Sequence, residues 1–490
     1  MTVSRKALPV AGAAALATAV AIAAVAAVAA SKSVDAKPVT NRINRTTRIW
    51  RLSIRNSARF AVAKVRGIGS ADERRAAIDE EFAIRTAEDV ARELGQMKGV
   101  LMKAGQMISF IFESLPEDAQ AALATLQADG EPMSPTLAAQ VVAEDLGGSP
   151  EHVFLDWTDR PVAAASIGQV HRAVTHDGRD VAVKVQYPGV HEAIEHDLDA
   201  AEVMYGMFSS MMLKGLDAKG LVDELRMRMR EELDYRLEAQ NLLTFTEVFA
   251  NHPWARIPTL VPECSTGRVL TTEWVDGMSF EQFMRDASRD TKQRAGEVLW
   301  RFAQHAVNRH GIFNGDPHPG NYKFHHDGSV TFLDFGLVKR WQPGEWESLR
   351  PTLDAVIIDR DPELVVAAME ESGFLRRGHG IDPQVVFDYV SSPYRPYLVD
   401  EFRFSREWMI ETLGRVIDVK GPHAKVIEAL NMPASFVILD RVVWGVNAIL
   451  GKLEVEGPFR AMLLEYVAGG PPATEIGAAE AAWMRAGASS

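Results

Sequence analysis

With 490 residues, 47% of them hydrophobic and 24% charged, the chain has length for two or three domains with sizeable cores. A formal charge of −13 argues against a general nucleic-acid binder, which grips phosphates with clustered Lys and Arg. The single cysteine, Cys264, excludes an intrachain disulfide and a cysteine-based zinc cluster, as suits a reducing cytoplasm.

Residues 7–30 run without a charge for long enough to cross a bilayer, which takes a helix of about 20 residues, although alanine contributes little of the transfer energy. A transmembrane anchor, a signal segment and an Ala-rich surface helix all fit this stretch. Arg5 and Lys6 form a short basic flank, but the apolar run exceeds the roughly 7–15 residues of a signal h-region. From Lys32 to Arg66 stand ten basic residues and one acid, Asp35, and positive flanks stay cytoplasmic. Residues 1–30 are therefore read as an anchor, with the bulk of the chain in the cytoplasm. Within 31–69, Arg48, Arg51, Arg55 and Arg59 share one helical face and Trp50, Ile54, Ala58 and Ala61 another. Such a helix suits anionic lipid headgroups, or packs on its own protein.

Residues 70–135 read as a helical extension, broken at Asp129-Gly130-Glu131-Pro132, and Ser134-Pro135 starts a new helix. Short alternating runs from Val162 to Gln186, with a turn at His176-Asp177-Gly178, predict a β-hairpin sheet that carries Lys184. A charged helical stretch follows over about 190–249. The run 268–275 predicts a strand leading to a hinge, where backbone groups at Glu273 and Val275 can hydrogen-bond an adenine. This gives a first lobe over 136–277 and a mostly helical one over 278–468, interrupted by a hairpin from Phe313 to Phe335. The Gly-, Pro- and Ala-rich end, 469–490, predicts a flexible tail.

Four segments in order supply parts for holding a nucleoside triphosphate with its metal. Lys184 ends the apolar run VAVK, where an ammonium can meet phosphates. Glu238, on a helix, can orient that ammonium, and Asp234 four residues earlier would share its face. Asp316 and Asn321 stand as D-x-x-x-x-N, the spacing of a kinase catalytic loop, which assigns Asp316 as base and Asn321 as amide ligand of Mg²⁺. Asp334 opens Asp-Phe-Gly at the end of an apolar strand, and a buried carboxylate there is costly unless it meets a cation. Taken singly, Lys184 reads as a surface strand lysine, Glu238 as part of a solvated acidic helix and Asp316 as a turn residue. Their order and spacing favour the joint site. His318, without a second His or Cys at ligand spacing, reads as loop packing.

With these motifs in place the chain resembles the UbiB/ABC1/ADCK (AarF-like) atypical kinase-like family over about residues 80–450. Lys103-Ala104-Gly105-Gln106 is similar to its K-x-G-Q signature. The run Ala163, Ala164, Ala165, Ser166, Ile167, Gly168 is similar to the alanine-rich loop that replaces G-x-G-x-x-G, and Glu232-Leu233-Asp234 to its E-x-D element. The resemblance implies an α+β, two-lobed protein-kinase-like fold with ATP and Mg²⁺ held between the lobes, and Lys103 near Glu232 and Asp234. It also implies a place in isoprenoid quinone or lipid metabolism, with membrane lipids and biosynthetic enzymes as partners and no nucleic acid. Alanines restrict the loop's approach to phosphates, because a Cβ disfavours positive φ. No A-P-E segment follows Asp334, so protein phosphorylation in trans is not expected. A silent nucleotide-binding scaffold and an aminoglycoside-type phosphotransferase are the alternatives.

Overall fold

The computed structural model describes residues 133–165, 167–190, 230–231, 233–418, 421–431 and 434–487. The expected anchor, the basic segment and nearly all of the helical extension lie outside these, as do Lys103, Gly105, Gln106, Ser166 and Glu232. Among the described residues no helix is long and apolar enough to cross a membrane. Two compact units are present, one of residues up to Arg236 with Val261–Thr272, the other of Leu237–Leu260 with Glu273 onward. Residues 237–260, within the segment read as one lobe over 136–277, thus pack with the helical unit.

In the first unit, helix α1 (Pro135–Leu146) begins where Ser-Pro predicts. Ser134 accepts the N–H of Leu137, Pro135 fills the first turn, and Gly147 at φ 78° ends the helix. Helix α2 (Pro150–Val153) precedes strands β1 (Asp156–Trp157), β2 (Ala163–Ala164), β3 (Gly168–Val174) and β4 (Asp180–Gln186). The β3–β4 hairpin pairs Val170 with Lys184, and Gly178 at φ 85° makes its turn. Val181, Val183 and Val185 point from β4 to Ala138, Val141 and Val142 of α1, which leaves Lys184 on the opposite face. The chain then runs into the second unit along α3 (Tyr235–Val248) and β5 (Ala255–Arg256), and returns to the first as β6 (Val269–Glu273). Strand β6 completes a sheet ordered β1-β3-β4-β6, with β2 on β3.

The second unit is built on α4 (Phe280–Asp286) and α5 (Arg289–His310), capped by Ser279 and Ser288. Gly311, at φ 63°, ends α5 and passes the chain to β7 (Ile312–Asn314). Strands β8 (Tyr322–Phe324) and β9 (Val330–Phe332) form an antiparallel pair, β5 lies parallel to β9, and β10 (Val338–Arg340) returns along β7. Helices α6 (Glu345–Asp354), α7 (Pro362–Glu371), α8 (Pro383–Val390), α9 (Arg406–Ile417), α10 (Ala424–Ala429), α11 (Ala434–Leu453), α12 (Phe459–Val467) and α13 (Glu475–Gly487) follow. Aromatic packing joins α3 and α5 to the strands. Phe245 lies 5.5 Å from Phe302 and 4.8 Å from Phe335, and Phe302 stacks on Phe332 at 3.6 Å.

The end of the chain corrects the expectation of a flexible tail, because α13 is docked by charge. Arg301, buried in the middle of α5, reaches Glu297 at 2.7 Å, Glu465 of α12 at 2.9 Å and Glu480 of α13 at 3.1 Å. The Tyr466 hydroxyl donates to Glu480 at 2.5 Å, and His305 meets its other oxygen at 3.1 Å. Burial opposes the charge on Arg301, but the hydrogen bond to Glu465 and the surrounding acids raise its pKa. Composition misleads here because the small residues allow close packing of the helix, while Glu480 supplies its attachment.

Replacing Arg301 with Met leaves buried acids without their cation and should lower stability by about 3–5 kcal/mol, read from urea denaturation, with faster amide exchange in α13. Unchanged protection of α13 would show that something else holds it. A pH dependence follows from His252, whose Nδ1 accepts the N–H of Trp254 and of Ala255. Burial outweighs the attraction of Glu480, and with repulsion from His305 and Arg301 it pushes His252 down to about 4. The folded value lies below the unfolded one, so this stabilisation is complete above about pH 6.5 and is lost as pH falls toward 4, on the order of 3 kcal/mol. Replacement by Asn, whose Oδ1 can accept in place of Nδ1, should flatten the slope of urea midpoint between pH 7.5 and 5.

Candidate active site

Strand β7 ends at Asn314, and this side chain joins the two acidic segments. Its Oδ1 accepts the N–H of Asp316 at 3.1 Å, while its Nδ2 donates to the carbonyl of Asp334 at 2.6 Å. The loop then closes through Pro319–Asn321, a short 3₁₀ turn in which the Asn321 N–H donates to the His318 carbonyl at 2.9 Å. Asn321 directs Nδ2 back to the Asp316 carbonyl at 3.0 Å and to its Oδ2 at 3.3 Å. Leu333 N–H donates to the Asn321 carbonyl, so the loop and the strand before Asp334 are bonded side by side. Asp316, Asn321 and Asp334 are thus brought together by the backbone. His318 accepts the N–H of Gly320 through Nδ1, in keeping with loop packing.

Asp334 turns its Oδ1 onto the N–H of Gly336 at 2.9 Å. A Cβ added to Gly336 would stand 3.3 Å from Asp334 Oδ1 and 3.6 Å from Glu238 Oε2, so two carboxylates flank this glycine. Glu238 is 5% exposed and Asp316 4% exposed. Burial, and then the negative charges of Asp316 and Asp334, raise the pKa of the Tyr322 hydroxyl. Three acids in one neighbourhood repel one another strongly at low dielectric unless a cation is shared.

The donor set fits such a cation. Nδ2 of Asn321 is committed to Asp316, which presents its Oδ1 as an acceptor, and carboxylate and carboxamide oxygens are the hard donors that Mg²⁺ takes. Among the described residues no three His, Cys, Asp or Glu side chains gather closely enough to hold a metal alone. Mg²⁺ needs no such cluster, because it combines one or two carboxylates with phosphate and water oxygens.

The first unit holds Lys184, the described part of the alanine-rich loop and Asp234. Lys184 lies on β4 with its Nζ 5.0 Å from the centre of the Tyr235 ring. Ala163 and Ala164 form an exposed edge strand, Ala165 N–H donates to the Gly168 carbonyl at 2.9 Å, and Ile167 is buried. A Cβ on Gly168 would collide with the Val185 carbonyl and stand 3.0 Å from the Tyr235 hydroxyl. Close packing on β4 thus requires this glycine. Asp234 corrects the reading that puts it on one helical face with Glu238. Tyr235 N–H donates to the Gly267 carbonyl instead of within a helix, α3 starts at Tyr235, and Asp234 accepts the N–H of Arg236 at 3.0 Å. In the second unit, Glu273 donates its N–H to the Thr259 carbonyl, and its carboxylate accepts from Thr259 N–H and hydroxyl. Val275 follows in irregular backbone.

Sequence reasoning missed two positioning residues. Asn314 has the signal of an Asx turn two residues before Asp316. Asn241 lies three residues after Glu238, on the same face of α3, and donates to the Phe335 carbonyl at 3.0 Å.

The family model described as the ABC1 atypical kinase-like domain matches residues 125–369. The chain is 32% identical over 314 residues to the chloroplastic protein Activity of BC1 Complex Kinase 1 of Arabidopsis thaliana, covering 63% of this chain and 46% of that protein. It is 31% identical over 252 residues to the mitochondrial atypical kinase COQ8 of Saccharomyces cerevisiae, covering 51% of this chain and 50% of that protein. It thus spans about half the length of these relatives. A solved structure, Rv3197 of Mycobacterium tuberculosis in complex with erythromycin, is similar with a TM-score of 0.60 and 32% identity. The match covers 79% of this chain and 97% of that one. The expected α+β kinase-like fold agrees with these likenesses.

Replacing Asn314 with Ala removes both bonds between the acidic segments and leaves their backbone groups unpaired. Stability should fall by about 1–3 kcal/mol in urea, with amide exchange accelerated at Asp316 and across Asp334–Gly336. Unaltered exchange would mean that the loop holds itself.

Proposed function

The chain belongs to the ABC1 atypical kinase-like family, and from that membership we propose that it is an MgATP-dependent phosphotransferase or ATPase that acts on a small or lipid-like molecule at a membrane. The carrying observation is the hydrogen-bonded set Asn314, Asp316, Asn321 and Asp334, with Glu238 beside Gly336. In this reading Asn321 and Asp334 hold Mg²⁺, which when bound neutralises phosphate oxygens. Asp316 takes the proton of the attacking hydroxyl or positions a water, and the bond from Asn321 Nδ2 to its Oδ2 fixes the direction of the carboxylate. Lys184 binds phosphate oxygens, and Glu238 maintains the negative field that draws the cation in.

Several features favour a small acceptor over a protein. After Gly336 the chain forms β10 at once and enters α6 at Glu345, so the segment that docks peptides in protein kinases has no counterpart of similar length here. The kinship with COQ8 and with the chloroplastic kinases supports a role related to quinone metabolism, and the erythromycin complex of the mycobacterial relative supports accommodation of an amphipathic small molecule. The apolar run 7–30 and the basic residues after it support action at a membrane.

The test is ATP turnover by the purified full chain with Mg²⁺, with and without anionic liposomes. Asp334→Asn should reduce turnover by about 100-fold or more, and liposomes should stimulate the wild type. Equal turnover in both proteins would remove the catalytic assignment. Nucleotide binding without any turnover in the wild type would favour a scaffold.

A further inference from the structure

The second unit contains a cavity of about 90 Å³, not lined by Asp316 or Asp334, among α5, α6, α11, α12 and the short helical turns at Ala355–Asp359 and Ser392–Tyr397. By the measure in which one water fills roughly 10–15 Å³, this is room for several waters, and a ring, which takes a cavity of roughly 150 Å³, fits by extending toward the half-exposed Arg350–Asp354 rim. Its walls are mainly apolar, with Ile357, Leu439, Val442, Val446 and Leu463 around the indole of Trp300.

Nearly all the polar side chains that line it are already matched. Trp300 Nε1 donates to the Tyr397 hydroxyl at 3.0 Å, Asn308 Nδ2 donates to Gln304, and Arg350 pairs with Asp354 at 3.3 Å, both half-exposed. Asn447 differs. It is 2% exposed and lines the cavity, yet its Nδ2 has no hydrogen-bond partner. A buried donor left unpaired costs roughly 1–3 kcal/mol, and helix α11 retains one against an otherwise apolar wall. A buried water needs 2–4 polar partners, so a water held by Asn447 Nδ2 and the Tyr397 hydroxyl is the occupant that a ligand has to displace.

We propose that this cavity is a binding site for a small, neutral, mostly apolar molecule carrying one hydrogen-bond acceptor, such as a ketone, ester or amide oxygen, received by Asn447 Nδ2. The mainly apolar walls, whose only charged residues among those described, Arg350 and Asp354, neutralise each other, disfavour an ion, the donor selects an acceptor, and the Tyr397 hydroxyl can offer a second proton. Occupancy also has a route to the acidic loop. Two residues before Asn447 on α11, Gly445 packs so closely on Pro317 that a Cβ there would collide with its ring, and Pro317 follows Asp316. A ligand that braces α11 therefore braces this loop.

The experiment uses the full-length protein and two probes of nearly equal shape. Acetophenone carries a carbonyl, and α-methylstyrene has a methylene in its place. Ligand-observed NMR titration should show acetophenone binding at least about fivefold more tightly, a preference that Asn447→Leu abolishes without weakening α-methylstyrene. Saturating acetophenone should slow amide exchange across residues 312–321 of the wild type, a readout independent of nucleotide chemistry. Equal affinity for the two probes, no saturable binding, or ordered water on Asn447 that neither probe displaces in soaked crystals would overturn the site. Binding without slowed exchange would sever it from the loop. Because the preference is measured first on the wild type, poor folding of the Asn447 variant does not rescue the proposal.

Discussion

A single carboxamide, that of Asn314, accepts from the backbone of one acid and donates to the backbone of another. Asp316 and Asp334 are eighteen residues apart in a chain whose charges would drive them further apart. Their proximity rests on uncharged bonds, namely the two made by Asn314, the Asn321 amide onto Asp316, and the Leu333 N–H onto the Asn321 carbonyl. Backbone hydrogen bonds do not depend on the charge state of the side chains they position, so the acids can be set close without relying on mutual attraction. Repulsion between the acids is lowered by donors such as Asn321 Nδ2 and the Gly336 N–H, and would be lowered further by a cation.

Much of this was legible because the governing interactions are local. Ser134-Pro135 starts a helix through a cap three residues long, the turn at His176-Asp177-Gly178 closes β3 onto β4, and Val181, Val183 and Val185 alternate inward as strand residues must. The spacing from Asp316 to Asn321 is local too, since the 3₁₀ turn Pro319–Asn321 and the bonds of Asn321 Nδ2 to Asp316 close it. Misreadings arise where a partner distant in sequence decides. Asp234 reads as helical until Gly267 takes the N–H of Tyr235, and the small residues near the end read as loose until Arg301, far upstream, attaches Glu480. A buried arginine surrounded by three acids leaves no short-range periodicity in the sequence.

The alanine-rich loop shows how one motif can serve two ends. Its alanines occupy an edge strand on β3, where a Cβ is welcome, whereas its one glycine stands where the Val185 carbonyl leaves no room for any side chain. In a phosphate-cradling loop glycine admits the ligand to the backbone. At Gly168 it admits one part of the sheet to another. The loop is therefore shaped by packing of the sheet.

Helix α5 touches several of the second unit's main features. Its middle buries Arg301 and so fixes α12 and α13, Trp300 one residue earlier lines the apolar cavity, and its last turn ends at Gly311 directly before β7 and Asn314. Helix α11 meets the same loop from another side, through Gly445 on Pro317. A displacement of either helix would reach the acids within a few residues of chain, whereas the strands β8 and β9 hold the opposite side of the loop by ladder bonds. A fold that places an incompletely satisfied amide on one of those helices has the physical means to make chemistry at the acids depend on what fills a cavity elsewhere.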